Sequence, residues 1–157
     1  MDQDLAALLD AEPELARKLA HLTSVPGVGL TMAIIVVAET NGFVLMENER
    51  QLASYAGLDV VQRQSGLSAG ATRISRRANV RLRTALCLPA VSSLRYNPQQ
   101  MTCYTRLRAR QPSGKPGVIA VMRKLLLLCY SLWKNDQPYD PHYHPAHQPQ
   151  KEIASAT

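Results

Sequence analysis

Val118 to Lys134 reads VIAVMRKLLLLCYSLWK, and this stretch decides the fold. Wound at 3.6 residues per turn it is apolar around most of its circumference, which marks a buried central helix rather than an amphipathic surface one. It is not a membrane span on the same reading. A crossing needs about 18 consecutive apolar residues, and the longest runs, Met32 to Ala38 and Leu125 to Trp133, reach about half of that. Such a helix must be covered by others, and the flanking sequence supplies them. Leu82, Leu86, Ala90 and Ser93 form one stripe of a helix expected from about Arg77 to Arg95, kinked at Pro89. Asn97-Pro98 is a cap followed by Pro at the first helical position, opening a helix to about Arg110. PSGKPG, Pro112 to Gly117, is the loop that joins it to the central helix.

Working outward, residues 3 to 23 read as helix broken near Pro13, with Leu15, Leu19 and Leu22 on one face and Glu14, Arg17 and Lys18 off it. A turn at SVPGVG (Ser24 to Gly29) leads to a helix from Leu30 to about Glu39, stopped by Asn41-Gly42. Asn48 caps a short helix that ends at Gly57. Gly57 to Ala71 is polar and reads as loop, with an extended piece at Val60 to Arg63. From Asp136 the chain is Pro-rich and is expected to be disordered. The predicted class is all-α: a hairpin-linked helix pair, then a basic loop, then a C-terminal helical bundle. The expected divisions are a helical lead-in at 1–20, one domain at 21–135 and a Pro/His-rich tail at 136–157.

With 157 residues, 46 % of them apolar, the chain suits one domain with a real core. One Phe and one Trp leave that core to Leu, Val, Ile, Ala and Met. The start, MDQDLAALLD, is acidic and lacks the positive region of a signal peptide. Cys87, Cys103 and Cys129 are odd in number and without paired spacing, so they read as reduced packing residues. A cytoplasmic protein with no membrane partner is expected.

The net charge of +6 conceals its distribution. Val60 to Asn135 contains no Asp or Glu and holds 14 of the 18 Lys and Arg; the rest of the chain holds the other four and all 12 acids. Solvated surfaces usually mix signs, so an acid-free run of this length points to a polyanion, nucleic acid ahead of a membrane surface. Within it, Gln62-Arg63-Gln64-Ser65-Gly66 is followed by Arg73, Ser75, Arg76, Arg77, Asn79, Arg81 and Arg83. Arginine grips phosphate bidentately and keeps its charge. A serine beside glycine among such residues is placed to attack a phosphodiester, the arginines stabilising the alkoxide and the pentavalent transition state. The same Ser-Gly pair is also an ordinary turn. Upstream, Val25-Pro26-Gly27-Val28-Gly29, with Ala33 four residues on, fits a helix-hairpin-helix pattern. There Gly27 and Gly29 let backbone N–H groups meet a phosphate at a helix N-terminus; a plain helix-helix connection has the same composition.

The segments LTSVPGVG, QLASYAGLDVVQRQSGLS, RISRRANVRLRTALCLPAV and VMRKLLLLCYSLWK, in this order and spacing, resemble the C-terminal part of the insertion-sequence "one-ten" transposases over roughly residues 20 to 140. The resemblance implies that Ser65 is the catalytic serine, forming a transient covalent bond to DNA. Arg63, Arg73, Arg76, Arg77 and Arg81, with Gly27 and Gly29, are then the candidate DNA contacts. It also implies DNA and a guide (bridge) RNA as partners and a homo-oligomer in the full-length protein. Ala78 stands where that family usually has Gly. The family's RuvC-like domain, which carries four acidic metal ligands, has no counterpart in residues 1 to 20. A fragment or truncated copy is therefore expected, with no cofactor in this chain and Mg2+ only alongside that other domain. The readings left beside strand transfer are a non-catalytic nucleic-acid-binding module and a remnant that only assembles with a full-length partner.

Weaker constellations are set aside. His142-Tyr143-His144 matches a nickase pattern but lies between prolines, and His147 adds little. Tyr104 near Arg106 and Arg108 lacks the histidine a tyrosine recombinase needs, since His21 is the only one in the body. Ser68 and Ser75 lack the place in the motif that Ser65 has.

Overall fold

The computed structural model describes residues 2–61, 64–65, 68–69, 73–74, 79–110 and 114–142; for residues 2 and 5 and the short strands only the backbone is described. Among these the chain forms helices α1 (Asp2–Ala11), α2 (Pro13–Thr23), α3 (Leu30–Thr40), α4 (Glu49–Ala56), α5 (Val80–Tyr96), α6 (Pro98–Arg108) and α7 (Lys115–Asn135). Four two-residue strands, β1 (Val60–Val61), β2 (Gln64–Ser65), β3 (Ser68–Ala69) and β4 (Arg73–Ile74), lie between α4 and α5. The class is all-α, as the pattern of apolar residues predicts.

Local chemistry sets the boundaries. Pro13 opens α2 and separates it from α1. Asn48 caps α4 by accepting from Gln51 N at 2.9 Å, and the Gln51 side chain accepts from Glu47 N at 3.0 Å, a reciprocal lock on the first turn. Asn97 caps α6 through Gln99 N, with Pro98 in the first turn. Asn41, Gly42 and Phe43 all have positive φ after α3. Phe43 tolerates this because its ring is fully buried, 5.5 Å edge-on from Tyr130 and 6.0 Å from Trp133.

The core is centred on α7, whose Val121, Met122, Leu125, Leu126 and Cys129 are buried among residues of α2 to α5. Leu82, Leu86, Ala90 and Ser93 are buried along α5, as their spacing predicts, and the helix continues across Pro89. By length and composition α7, 21 residues with a mean hydropathy of 1.4, is apolar enough to cross a bilayer, although no unbroken apolar run is that long. In the fold its apolar surface forms the centre of the helical layer.

Several expectations shift. Helix α7 begins at Lys115, three residues before Val118, so Pro116 and Gly117 belong to its first turn. Inside that turn Gly117 is where the Tyr104 ring of α6 sits: a Cβ there would lie 2.8 Å from Cδ2. Helix α2 runs across residues 20 and 21 and puts Leu19 and Leu22 in the core, so no break separates the lead-in from the domain. Cys87 is exposed rather than packed, whereas Cys103 and Cys129 are buried.

The Pro-rich stretch is ordered where it is described. Asp136 pairs with Arg17 at 2.7 Å and with His21 at 3.3 Å. Tyr139 N donates to Ser24 Oγ at 2.9 Å, and Asn97 Nδ2 donates to Tyr139 Oη at 3.1 Å. Gln99 Nε2 donates to Pro141 O at 2.8 Å. Specific hydrogen bonds thus hold Asp136 to His142 as a strap over α2 and the α5–α6 corner; residues 143–157, with His144 and His147, lie outside the described residues.

Candidate functional site

The segment carrying Ser65 is paired rather than irregular where it is described. β1 pairs antiparallel with β4, Val60 opposite Ile74 and Val61 opposite Arg73. β2 pairs antiparallel with β3, Gln64 opposite Ala69 and Ser65 opposite Ser68. The second ladder is nested in sequence inside the first, so the chain goes out and returns as a hairpin. Ser65 is the last described residue of the outgoing strand, immediately before Gly66 and Leu67. Arg73 is on the returning strand opposite Val61. Arg63, Arg76, Arg77 and Ser75 lie outside the described residues, and the direction of the Ser65 and Arg73 side chains is likewise outside them.

The root of this hairpin is built from four helices, α3, α4, α5 and α7, and sequence reasoning missed it. On the outgoing side Leu58 is buried and Asp59 Oδ1 sits 3.6 Å from Arg123 Nη1 of α7. On the returning side Asn79 uses its whole amide. Its Oδ1 accepts from Leu82 N at 3.1 Å and caps α5, while its Nδ2 donates to Glu39 Oε2 at 2.7 Å and to Tyr55 Oη at 3.2 Å. Asn79 N donates to Tyr55 O at 3.0 Å, and Tyr55 Oη donates to Glu39 O at 2.9 Å. Asn79, three residues before the first buried leucine of α5, carries the sequence signature of a cap; nothing in the sequence announces its link to Glu39, 40 positions away. Arg81 Nη1 lies 3.6 Å from Glu39 Oε1 with its side chain 85 % exposed, a pairing too solvated to hold the arginine strongly.

The glycine turn is elsewhere. Gly27 has φ +93°, and a Cβ on it would lie 2.8 Å from both Cα and N of Ser93 in α5. Its close backbone approach is to another helix, and that contact explains the glycine without a ligand. Gly29 precedes α3 with φ −90° and no side-chain cap, and a Cβ there meets nothing within 4 Å. Asn79 and Ser93 are separated by fourteen steps along α5, about 21 Å at 1.5 Å per residue. Gly27 and Gly29 therefore stand at the other end of α5 from Asn79 and the hairpin root.

Helix directions fix the rest of the surface. Tyr104 and Arg108 of α6 lie against Gly117 and Gly114 at the start of α7, while Asn97 and Gln99 meet Tyr139 and Pro141 beyond its end. Helix α6 is thus antiparallel to α7. Ser93 meets the turn that also holds Tyr139, and Asn79 lies on the side of Asp59 and Arg123, so α5 is parallel to α7. One pole carries the hairpin root, the start of α5, the end of α6 and the start of α7. The other carries the glycine turn, the end of α5 and the strap.

Other nucleophiles are poorly placed. Burial pushes the Cys129 thiol up to about 12, against a smaller opposing effect of its backbone hydrogen bond, so it stays protonated. Tyr104 is half-buried, packed on Gly117, and its Oη accepts from Arg108 Nη1 at 3.3 Å. His142 N donates to Asp140 Oδ1 at 2.8 Å in the strap, not in a central strand. Among the described residues no three of His, Cys, Asp and Glu converge as metal donors.

Comparison with known proteins adds an independent line. The sequence profile of the IS116/IS110/IS902 transposase family matches residues 19–105. A pilin gene-inverting protein of Moraxella lacunata is 32 % identical over 150 residues, covering 92 % of this chain and 45 % of that protein. An uncharacterized 43.6 kDa protein of insertion element IS110 from Streptomyces coelicolor is 27 % identical over 89 % of this chain and 34 % of its own length. The transposase of insertion sequence IS1111A from Coxiella burnetii is 34 % identical over 60 % of this chain and 25 % of its length. The chain spans about half the length of the pilin gene-inverting relative or less of the others.

Proposed function

Because the chain belongs to the IS116/IS110/IS902 transposase family, we propose that it is the DNA-contacting, serine-bearing part of a recombinase that cuts and rejoins strands through Ser65. The observation that carries this reading is the nested pairing that puts Ser65 opposite Ser68 at the inner end of a hairpin, within a stretch that has no carboxylate. A relative named for inverting pilin genes supports cutting and rejoining, since inversion requires both. Arg63, Arg73, Arg76 and Arg77, with Arg81 at the root, hold phosphates around the serine. Gly29, open to solvent at the start of α3, is the glycine of the turn left to meet a phosphate; Gly27 serves the fold. In the full-length protein, a guide RNA, a homo-oligomer and magnesium bound by another domain complete the reaction, in the cytoplasm. The phosphate-holding part is tested by salt. Affinity of the purified chain for a labelled duplex is expected to fall on the order of tenfold or more between 50 and 200 mM salt, because each neutralised phosphate releases counterions. An affinity indifferent to salt in fluorescence anisotropy would remove the basis of the proposal.

A second reading, binding without catalysis by this chain alone, has its own support. A serine hydroxyl is a weak nucleophile unless a base activates it. The acid nearest to Ser65 in sequence is Asp59, and it is engaged by Arg123 at 3.6 Å. The isolated chain is therefore expected to leave supercoiled DNA intact in magnesium buffer. Nicking that disappears in Ser65→Ala would show instead that the chain holds a complete active site.

A further inference from the structure

Among the described residues, the strands around Ser65 pair with one another and lie against no helix. Two-residue ladders do not hold a direction by themselves, since an isolated two-stranded hairpin is marginal in water. The direction of this hairpin is therefore set at its root. Ser65 stands six residues beyond Asp59, up to about 20 Å of extended chain at 3.3 Å per residue. At that reach a tilt of about 10° at the root moves the tip by about 3 Å. A misplacement of about 1 Å can slow a reaction on the order of a hundredfold. The root angle thus bears on attack by the serine far more than on the hold on DNA, which comes from charges spread over a wider surface.

On the returning side a single backbone bond, Asn79 N to Tyr55 O, would leave a swivel. The Asn79 side chain removes that freedom, because its amide is divided between two tasks. Its Oδ1 accepts from Leu82 N and caps α5, a task that needs only an oxygen and that Ser or Asp performs about as well. Its Nδ2 does nothing for α5; it donates to Glu39 Oε2 of α3 at 2.7 Å and to Tyr55 Oη of α4 at 3.2 Å. The bond to Glu39 is short and charge-assisted, and the Glu39 side chain is only 23 % exposed, so water competes weakly for it. The outgoing side has a looser tie, since Asp59 Oδ1 and Arg123 Nη1 are 3.6 Å apart, beyond a direct hydrogen bond. We propose that Asn79 is a positioning residue for Ser65, its N–H bonds to Glu39 and Tyr55 fixing the angle at which the hairpin leaves the helical body. The inference rests on the serine reading above, and its test separates the two.

The two tasks of the amide can be separated by substitution. Asn79→Ser keeps an oxygen for the cap, adds no charge and removes both N–H bonds. Asn79→Asp keeps the cap but sets two carboxylates face to face. Adding Glu39→Gln to it restores the bond with donor and acceptor exchanged, at the wild-type net charge. In the purified chain, nitroxide labels on exposed Cys87 and on Ser68→Cys report the hairpin direction through their distance distribution, the other two cysteines being buried. Asn79→Ser is expected to broaden that distribution, and Asn79→Asp/Glu39→Gln to narrow it again. In a full-length protein carrying this domain, Asn79→Ser should slow recombination on the order of tenfold or more, with DNA affinity within about twofold, and the double variant should recover most of the rate. Both variants should retain the wild-type circular dichroism, because α5 stays capped. An unchanged distribution and rate in Asn79→Ser, a loss of rate matched by a loss of DNA affinity, or a defect that the double variant does not repair would overturn the proposal. Wild-type recombination by Ser65→Ala would overturn the serine reading instead.

Discussion

Ser65→Ala, introduced into a full-length protein carrying this domain, is expected to abolish recombination, by on the order of 10^4-fold or more, while leaving DNA affinity within about twofold, since a single neutral hydroxyl contributes little beside several phosphate contacts. The chemistry requires this split. The Ser65 oxygen would bond to phosphorus as the bond from phosphorus to the adjoining nucleotide's oxygen breaks, and that oxygen leaves with a proton. A strand hydroxyl then reverses the step and frees the serine. Deleting the hydroxyl removes the bond-forming atom and no charge, so binding survives. Arg73→Ala or Arg76→Ala should instead weaken both binding and joining, because each removes a phosphate-binding charge. The decisive measurement traps the reaction, digests the DNA and locates the nucleotide adduct by mass spectrometry. An adduct on Tyr104, or normal recombination by Ser65→Ala, would refute the assignment; the packing of Tyr104 on Gly117 argues against the first.

Gly27→Ala is expected to destabilise the fold by about 2–4 kcal/mol, combining a left-handed backbone that L-residues resist with overpacking. The methyl would lie 2.8 Å from the backbone of Ser93, which cannot withdraw without moving α5. Ser93 is fully buried and its Oγ donates to Ala90 O at 2.8 Å, so the helix has no slack there. Gly29→Ala, at φ −90° with open space around it, should change stability by no more than about 0.5 kcal/mol. Urea midpoints of the two variants check this directly. Equal midpoints would mean that the turn does not press on α5 and that Gly27 is free for another partner. A phosphate role for Gly29 predicts in addition that Gly29→Ala lowers DNA affinity while leaving the urea midpoint in place.

The helices were legible because each carried two agreeing signals. Leu82, Leu86, Ala90 and Ser93 repeat at helical spacing and Asn97-Pro98 closes the stretch, so periodicity and capping point to one answer. The hairpin was not legible beyond its first residues, because two-residue ladders leave no alternation to read. Gly27 misleads for another reason: a Pro-Gly turn that admits a phosphate and one that admits a helix backbone have the same composition, and only the position of Ser93 distinguishes them. Ser65 was singled out by resemblance and by the arginines around it in the sequence. The groups that anchor its hairpin, Glu39, Tyr55, Asp59, Asn79 and Arg123, act through pairings distant in sequence that no local pattern encodes.

The strap from Asp136 to His142 also determines where the protein can be handled. Tyr139 is tied to Ser24 and Asn97, and Pro141 to Gln99, so the chain passes His142 at the pole opposite the hairpin root. A fluorophore, surface tether or fused domain attached at His142 starts a full helix length from the hairpin root, with α5 as the spacer. Immobilised through it, the protein presents the pole of the hairpin root outward. A dye at Cys87, exposed between the two poles on α5, adds a second fixed reference from which approach of DNA to the hairpin can be followed by energy transfer.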